Sequence, residues 1–175
     1  MLAHFADDPD MENGMVDSTI VRAHACAAGA TKNGGQAEQG LGRSRGGFST
    51  KIHVTVDGLG NPLRLHLTAG QRHDIIKAHD LIVDLDFDYV IADRSYGASD
   101  FLDEIVVSGA EPVIPPRRNA NEPHEYDAWR YRERHLIECF IGKIKHFRRV
   151  FSRFDKLARR YLGFLQFTST LIWLR

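Results

Sequence analysis

The stretch from Tyr131 to Arg149, YRERHLIECFIGKIKHFRR, limits the possible folds more than any other part of the chain. Read as one helix at about 100° per residue, it separates into two faces. Leu136, Ile137, Phe140, Ile144 and Phe147 form an apolar stripe that reads as core. Tyr131, Arg134, Glu138 and Lys145 fall within a narrow arc on the other side, at spacings of three, four and seven residues. One carboxylate flanked by cations is what an acidic site directed at phosphate looks like. It is also what an ordinary solvated helix face looks like, so the rest of the chain has to decide.

Upstream, the pattern alternates between strands and helices. Residues 1–13 read as an acidic, flexible arm, crowded by Asp7, Asp8, Asp10 and Glu12. MVDSTIVRAH (15–24) reads as a strand rich in β-branched residues, with Asp17 inside it. A carboxylate there is costly to bury unless it is paired or bound to a metal; the alternative is that it faces water. Residues 25–47 hold nine Gly or Ala before Leu41 and read as a long loop of low structure. Arg43 and Arg45, set among its glycines, suit a phosphate.

FSTKIHVTVDGLGNPLRLHLTAG (48–70) alternates at period two around Asp57-Gly58 and predicts a hairpin. A helix is expected over 74–85, with Ile75, Ile76, Leu81 and Ile82 on its buried side. Tyr89–Ala92 predicts a short buried strand ending in Asp93, and a carboxylate at the carboxyl end of such a strand is well placed for chemistry. Ser99 is the expected N-cap of a helix reaching Ser108, with Gly109 after it. A strand over 111–117 is stopped by Pro115-Pro116, a polar loop follows, and a last helix spans 157–174.

Several function classes fall away. No run of about 18 apolar residues is present, so no transmembrane helix and no membrane partner are expected. Cys26 and Cys139 form no framework, which suggests a reducing compartment and a cytoplasmic protein. The nine histidines show no zinc-ligand spacing, and Ser18, Ser44 and Ser49 lack a nucleophile-elbow context. Trp129 and Trp173 read as core or docking residues.

The net charge of zero hides an asymmetry: Pro115–Arg160 holds 13 Lys or Arg against 6 Asp or Glu. A basic last third beside an acidic first part suits a cation site next to a surface for a polyanion. Within it, Arg148, Arg149, Arg153, Lys156, Arg159 and Arg160 form a run that reads as a solvated face or a DNA-backbone contact. Asp17, Asp93 and Glu138 come from three separate elements and can converge only in a folded site. Three carboxylates offer the hard oxygen ligands that Mg²⁺ prefers, and a pair of such ions is suited to phosphodiester chemistry.

Six ordered segments make the reading specific: VDSTIVRAH, GRSRGGFSTKIHVTVDGLGNPL, AGQRHD, YVIADRSYG, PVIPPR and YRERHLIECFIGKIKHFRRVFSRFDK. Together they resemble the DDE transposases of bacterial insertion sequences, within the insertion sequence 5 family, over about residues 14–175. Tyr131, Arg134, Glu138 and Lys145 match that family's Y-(2)-R-(3)-E-(6)-K signature. The resemblance implies an α/β, RNase H-like domain, a mixed central sheet flanked by helices. It implies Asp17, Asp93 and Glu138 as catalytic residues and as ligands of two divalent ions, Mg²⁺ with Mn²⁺ as a substitute. It implies DNA contacts by Tyr131, Arg134 and Lys145, and cleavage of double-stranded DNA at transposon ends followed by strand transfer to a target. A homo-oligomer on DNA and a nucleoid-associated location follow from it too.

The chain departs from the family pattern after Asp93, where Ser95 and Gly97 stand at the positions of a small residue and Asp, and at Phe154, which replaces a usual Tyr. The helix-turn-helix segment that family members carry upstream is absent, which suggests a partner encoded in an upstream frame. A truncated regulator that binds DNA or transposase, an inactive remnant and an RNase H-like nuclease are the alternative readings.

Overall fold

The computed structural model describes residues 9–28, 34–44, 46–117 and 123–174. Its organising strand is β1 (Asn13–Ala23), whose alternating side chains face two separate cores. Met15 and Val21 join one cluster and Val16 joins the other, as period two requires. β1 pairs antiparallel with β3 (Gly47–Val56) and parallel with β5 (Tyr89–Ala92). β3 pairs on its other edge with β4 (Pro62–Ala69) and, at its start, with β2 (Gly42–Ser44). β5 pairs parallel with β6 (Glu111–Val113), and the two-residue β7 (Ser152–Arg153) adds to the end of β1. One seven-stranded mixed sheet results. Its main order, β4-β3-β1-β5-β6, is the expected α/β, RNase H-like arrangement flanked by helices.

The helices are α1 (Gly35–Glu38), α2 (Ala78–Ile82), α3 (Ser99–Val107), α4 (His135–Lys145), α5 (Arg148–Phe151) and α6 (Ala158–Trp173). α4 covers the Met15 face of the sheet with Ile137, Phe140 and Ile144, all fully buried. Each such side chain contributes about 1.5–3 kcal/mol. α2 and α3 cover the Val16 face through Leu81, Ile82, Phe101 and Ile105.

Several local expectations are corrected. The stretch 131–149 is not one helix. A 3-10 turn (Arg130–Arg134) leads into α4, and the chain then breaks at Phe147 (φ −77°, ψ 113°) before α5. The break lets Val150 enter the core and delivers β7 to the edge of β1. The segment 25–47 is not structureless: it holds a 3-10 turn (Ala25–Ala28), α1 and β2. The helix expected over 74–85 is a 3-10 turn (Asp74–Lys77) plus α2; it ends before Asp84, which adopts φ 58°, and leaves Ile76 47% exposed. α3 is preceded by Ala98, not Ser99, as its N-cap, and β6 has three residues rather than seven. Trp129 is 68% exposed and is not core, whereas Trp173 donates its indole N–H to the Pro62 carbonyl at 2.8 Å.

Residues 1–8 of the acidic arm lie outside the described residues. Its described part is tied down: Gly58 N–H donates to the Asp10 carbonyl (2.9 Å) and Tyr89 N–H to that of Glu12 (3.0 Å).

Arg153, read as part of a solvated or DNA-facing run, is fully buried. Its guanidinium donates to Thr50 Oγ1 (2.7 Å) and to the carbonyls of Asp155 (2.9 Å), Lys156 (3.2 Å) and Gly40 (3.4 Å). The side chain therefore ties three segments together from inside the protein.

His53 on β3 is also fully buried, with Nε2 2.8 Å from Thr68 Oγ1. Burial, and then the charge of Lys51, push its imidazole down to about 4. The folded state therefore keeps His53 neutral, while the unfolded chain takes up a proton below about pH 6.5. Stability is lost as pH falls from about 6.5 to about 4, by roughly 3 kcal/mol from this group. Urea unfolding of the wild type and His53→Gln across that range checks it: the wild-type curve falls more steeply, and parallel curves contradict the assignment.

Candidate active site

β1 and β5 are parallel neighbours, and Val16 pairs with Ala92. The next residues, Asp17 and Asp93, therefore stand side by side on strands about 4.8 Å apart. Asp93 is extended (φ −77°, ψ 171°) and starts the 3-10 turn Arg94–Tyr96. Its Oδ1 accepts from Ser95 N–H at 2.7 Å, which is why a short acidic residue suits this turn. Asp17 Oδ1 accepts from Ser18 N–H, also at 2.7 Å.

The third carboxylate arrives from the other side of the fold. Arg134, in the turn before α4, donates from Nη2 to Asp17 Oδ2 (2.6 Å) and from Nη1 to Glu138 Oε1 (2.5 Å). One guanidinium thus bridges a strand carboxylate and a helix carboxylate. The Asp17 side chain is only 13% exposed, whereas that of Glu138 is 59% exposed. Burial raises the Asp17 carboxyl; Arg134 and the Ser18 N–H pull it down, and Asp93 and Asp74 push it up again.

Tyr131 is half-buried, with its ring edge-on to Tyr126 at 5.8 Å. Burial raises its hydroxyl, which feels both Arg134 and Asp93. Lys145 is half-buried two turns beyond Glu138. Arg148 and Arg149 are exposed on α5, and Arg149 is partly engaged with Asp155 at 3.2 Å. Arg43 is exposed on the β2–β3 hairpin with its guanidinium 5.7 Å from the Phe48 ring, and Arg45 lies outside the described residues.

Sequence reasoning passed over a second layer. Asp74 Oδ1 accepts from Ser18 Oγ (2.5 Å) and from Lys51 Nζ (2.6 Å), and Asp74 Oδ2 lies 3.4 Å from Ser95 Oγ. Burial pushes this carboxyl up, but the Lys51 and Ser18 bonds outweigh it and hold it below the usual range. Tyr96 is fully buried, with its hydroxyl beside Ser18. Burial, and then the charges of Asp17, Asp74 and Asp93, push that hydroxyl well up. The only signal for Asp74 in the sequence was its place in AGQRHD.

The donor set suits a hard divalent ion: two half-buried carboxylates on neighbouring strands, a third one guanidinium away, and no soft ligand between them. Among the described residues, no three His, Cys, Asp or Glu side chains stand close enough to share one ion. Glu138 is turned onto Arg134, but as an exposed side chain it is free of core packing.

The model of the family "Transposase DDE domain" matches residues 8–171. The chain belongs to this family. A relative from Brucella ovis, "Putative transposase for insertion sequence element IS6501", is 37% identical over 134 residues, which is 73% of this chain and all of the relative. This transposase domain also superposes on a solved piggyBac transposase synaptic complex with hairpin DNA. There the TM-score is 0.39 at 11% identity, over 63% of this chain and 24% of the other. No helix among the described residues is long and apolar enough to cross a membrane.

Proposed function

We propose that this transposase domain cuts double-stranded DNA at the ends of an insertion element and joins the freed ends to target DNA. Asp17, Asp93 and Glu138 are its catalytic carboxylates in this reading. The supporting observation is that Asp17 and Asp93 directly follow the paired residues Val16 and Ala92 on adjacent parallel strands, with Arg134 bridging Asp17 to Glu138.

The three carboxylates would hold two divalent ions, Mg²⁺ or Mn²⁺, which when bound activate the attacking oxygen and stabilise the leaving one. The protein's own contribution is placement. β1 and β5 hold two carboxylates level, and α4 brings the third. Arg134 and Lys145 hold phosphate oxygens, and Tyr131 supports the turn that carries Arg134. In the first step the oxygen of water bonds to phosphorus and the P–O3′ bond breaks, leaving a 3′-hydroxyl. In the second, that hydroxyl bonds to a target phosphorus and releases a target 3′-oxygen.

Residues 14–175 form the catalytic domain in this reading, in the insertion sequence 5 family. Recognition of the ends rests on oligomers of this chain and on a helix-turn-helix partner. The test is cleavage of labelled element ends that requires Mg²⁺ or Mn²⁺, followed by joining to a second DNA. Cleavage without joining would make it a nuclease instead.

Arg148, Arg149 and Arg43 extend the phosphate-binding surface, and Arg45, outside the described residues, is assigned to it from the sequence. In filter binding across a salt series, Arg148→Ala lowers the slope of log K against log salt by about 0.9. Arg149→Ala lowers it less, because Asp155 already engages that side chain. Unchanged slopes in both would remove α5 from the interface.

A further inference from the structure

Each catalytic strand carboxylate is followed within two residues by a serine whose hydroxyl reaches Asp74: that of Ser18 turns away from Asp17, while that of Ser95 bonds Asp93 and lies 3.4 Å from Asp74. Ser18 gives its backbone N–H to Asp17 and its hydroxyl to Asp74 (2.7 and 2.5 Å). Ser95 gives its N–H to Asp93 (2.7 Å), and its hydroxyl lies between Asp93 and Asp74. Because Asp17 and Ser18 are consecutive in β1, they face opposite sides of the sheet. Asp74 thus approaches the carboxylate pair from the side opposite α4. It is held there by Lys51, a buried cation on β3 that also donates to the Arg72 carbonyl at 2.5 Å. The Tyr96 hydroxyl is buried beside Ser18 and against the same group of acids.

We propose that Asp74 is a positioning residue, which sets the orientation of Asp17 and Asp93 through Ser18 and Ser95 and is itself locked by Lys51. It touches neither substrate nor ion. Its carboxylate is the common acceptor that holds the two serine hydroxyls, and so the strand and the turn that carry the catalytic acids, in one arrangement. Partners behind a ligand typically change metal affinity by about 10–100-fold when removed. The inference rests on the carboxylate assignment above.

The test is Mn²⁺ binding to the DNA-free protein, followed by electron paramagnetic resonance, so that no activity is needed. Asp74→Asn weakens Mn²⁺ binding by about 10–100-fold. The pair Ser18→Ala/Ser95→Ala, which leaves Lys51 neutralised, reproduces that loss. Adding Asp74→Asn to the serine pair weakens it little further, because one linkage is lost once only. Full Mn²⁺ affinity in the serine pair overturns the proposal, whether or not Asp74→Asn folds. If the serine pair binds normally while Asp74→Asn does not, Asp74 is a ligand and not a positioning residue. If Asp17→Asn and Asp93→Asn also bind Mn²⁺ normally, the carboxylate assignment itself fails, which separates the two failures.

Discussion

Asp93→Asn reduces strand cleavage by about 10³-fold or more while leaving the fold intact. The fold survives because the Asn side-chain oxygen can still accept the Ser95 N–H that starts the turn. The chemistry does not survive, because the amide keeps the shape and loses the charge. Removing several kcal/mol of transition-state stabilisation is enough, since about 4 kcal/mol corresponds to about 10³ in rate. Cleavage rates on labelled element ends in Mn²⁺, with thermal melting alongside, make the check. Wild-type activity in the variant would sink the assignment of Asp93. Glu138→Gln should lose as much activity and even less stability, because its side chain is 59% exposed.

Arg153→Ala costs about 4 kcal/mol of stability without touching the catalytic carboxylates. The truncation empties a fully buried volume and removes donors from Thr50, Gly40, Asp155 and Lys156 at once. Large-to-small core changes cost about 2–5 kcal/mol, and each unsatisfied buried polar group about 1–3. A domain of this size has only about 5–15 kcal/mol to lose. Arg153→Lys rescues little, since one ammonium cannot reach acceptors arrayed around a planar fork. Urea unfolding decides it: a loss below about 1 kcal/mol would show that the guanidinium is not the tie described.

Both cases show what could be read from the chain and what could not. The strand bearing Asp17, the hairpin after it and the strand ending in Asp93 were legible because period two, β-branched residues and turn residues are local signals. The alignment of Tyr131, Arg134 and Glu138 was legible even though a 3-10 turn starts the segment, because that turn runs directly into α4. The break at Phe147 was not legible, because it depends on β7 finding the edge of β1, a long-range pairing. Arg153 was misread for the same reason. Its sequence neighbours are basic and exposed, and only the folded chain supplies acceptors for a buried cation. Asp74 was hidden because its partners Ser18, Lys51 and Ser95 lie on three other elements.

Asp17 and Ser18 sit on opposite sides of one strand, and this gives the pairing of β1 with β3 a meaning beyond stability. Eight consecutive partners, from Met15↔Val56 to Arg22↔Ser49, hold that alignment. A slip of one residue would leave nearly every backbone bond remade and the sheet still closed. It would also present a hydroxyl to α4 and bury the acid against Lys51. The strand therefore acts as a ruler for the chemistry: a one-residue deletion ahead of Asp17 preserves almost all the side chains and exchanges the faces on which they work.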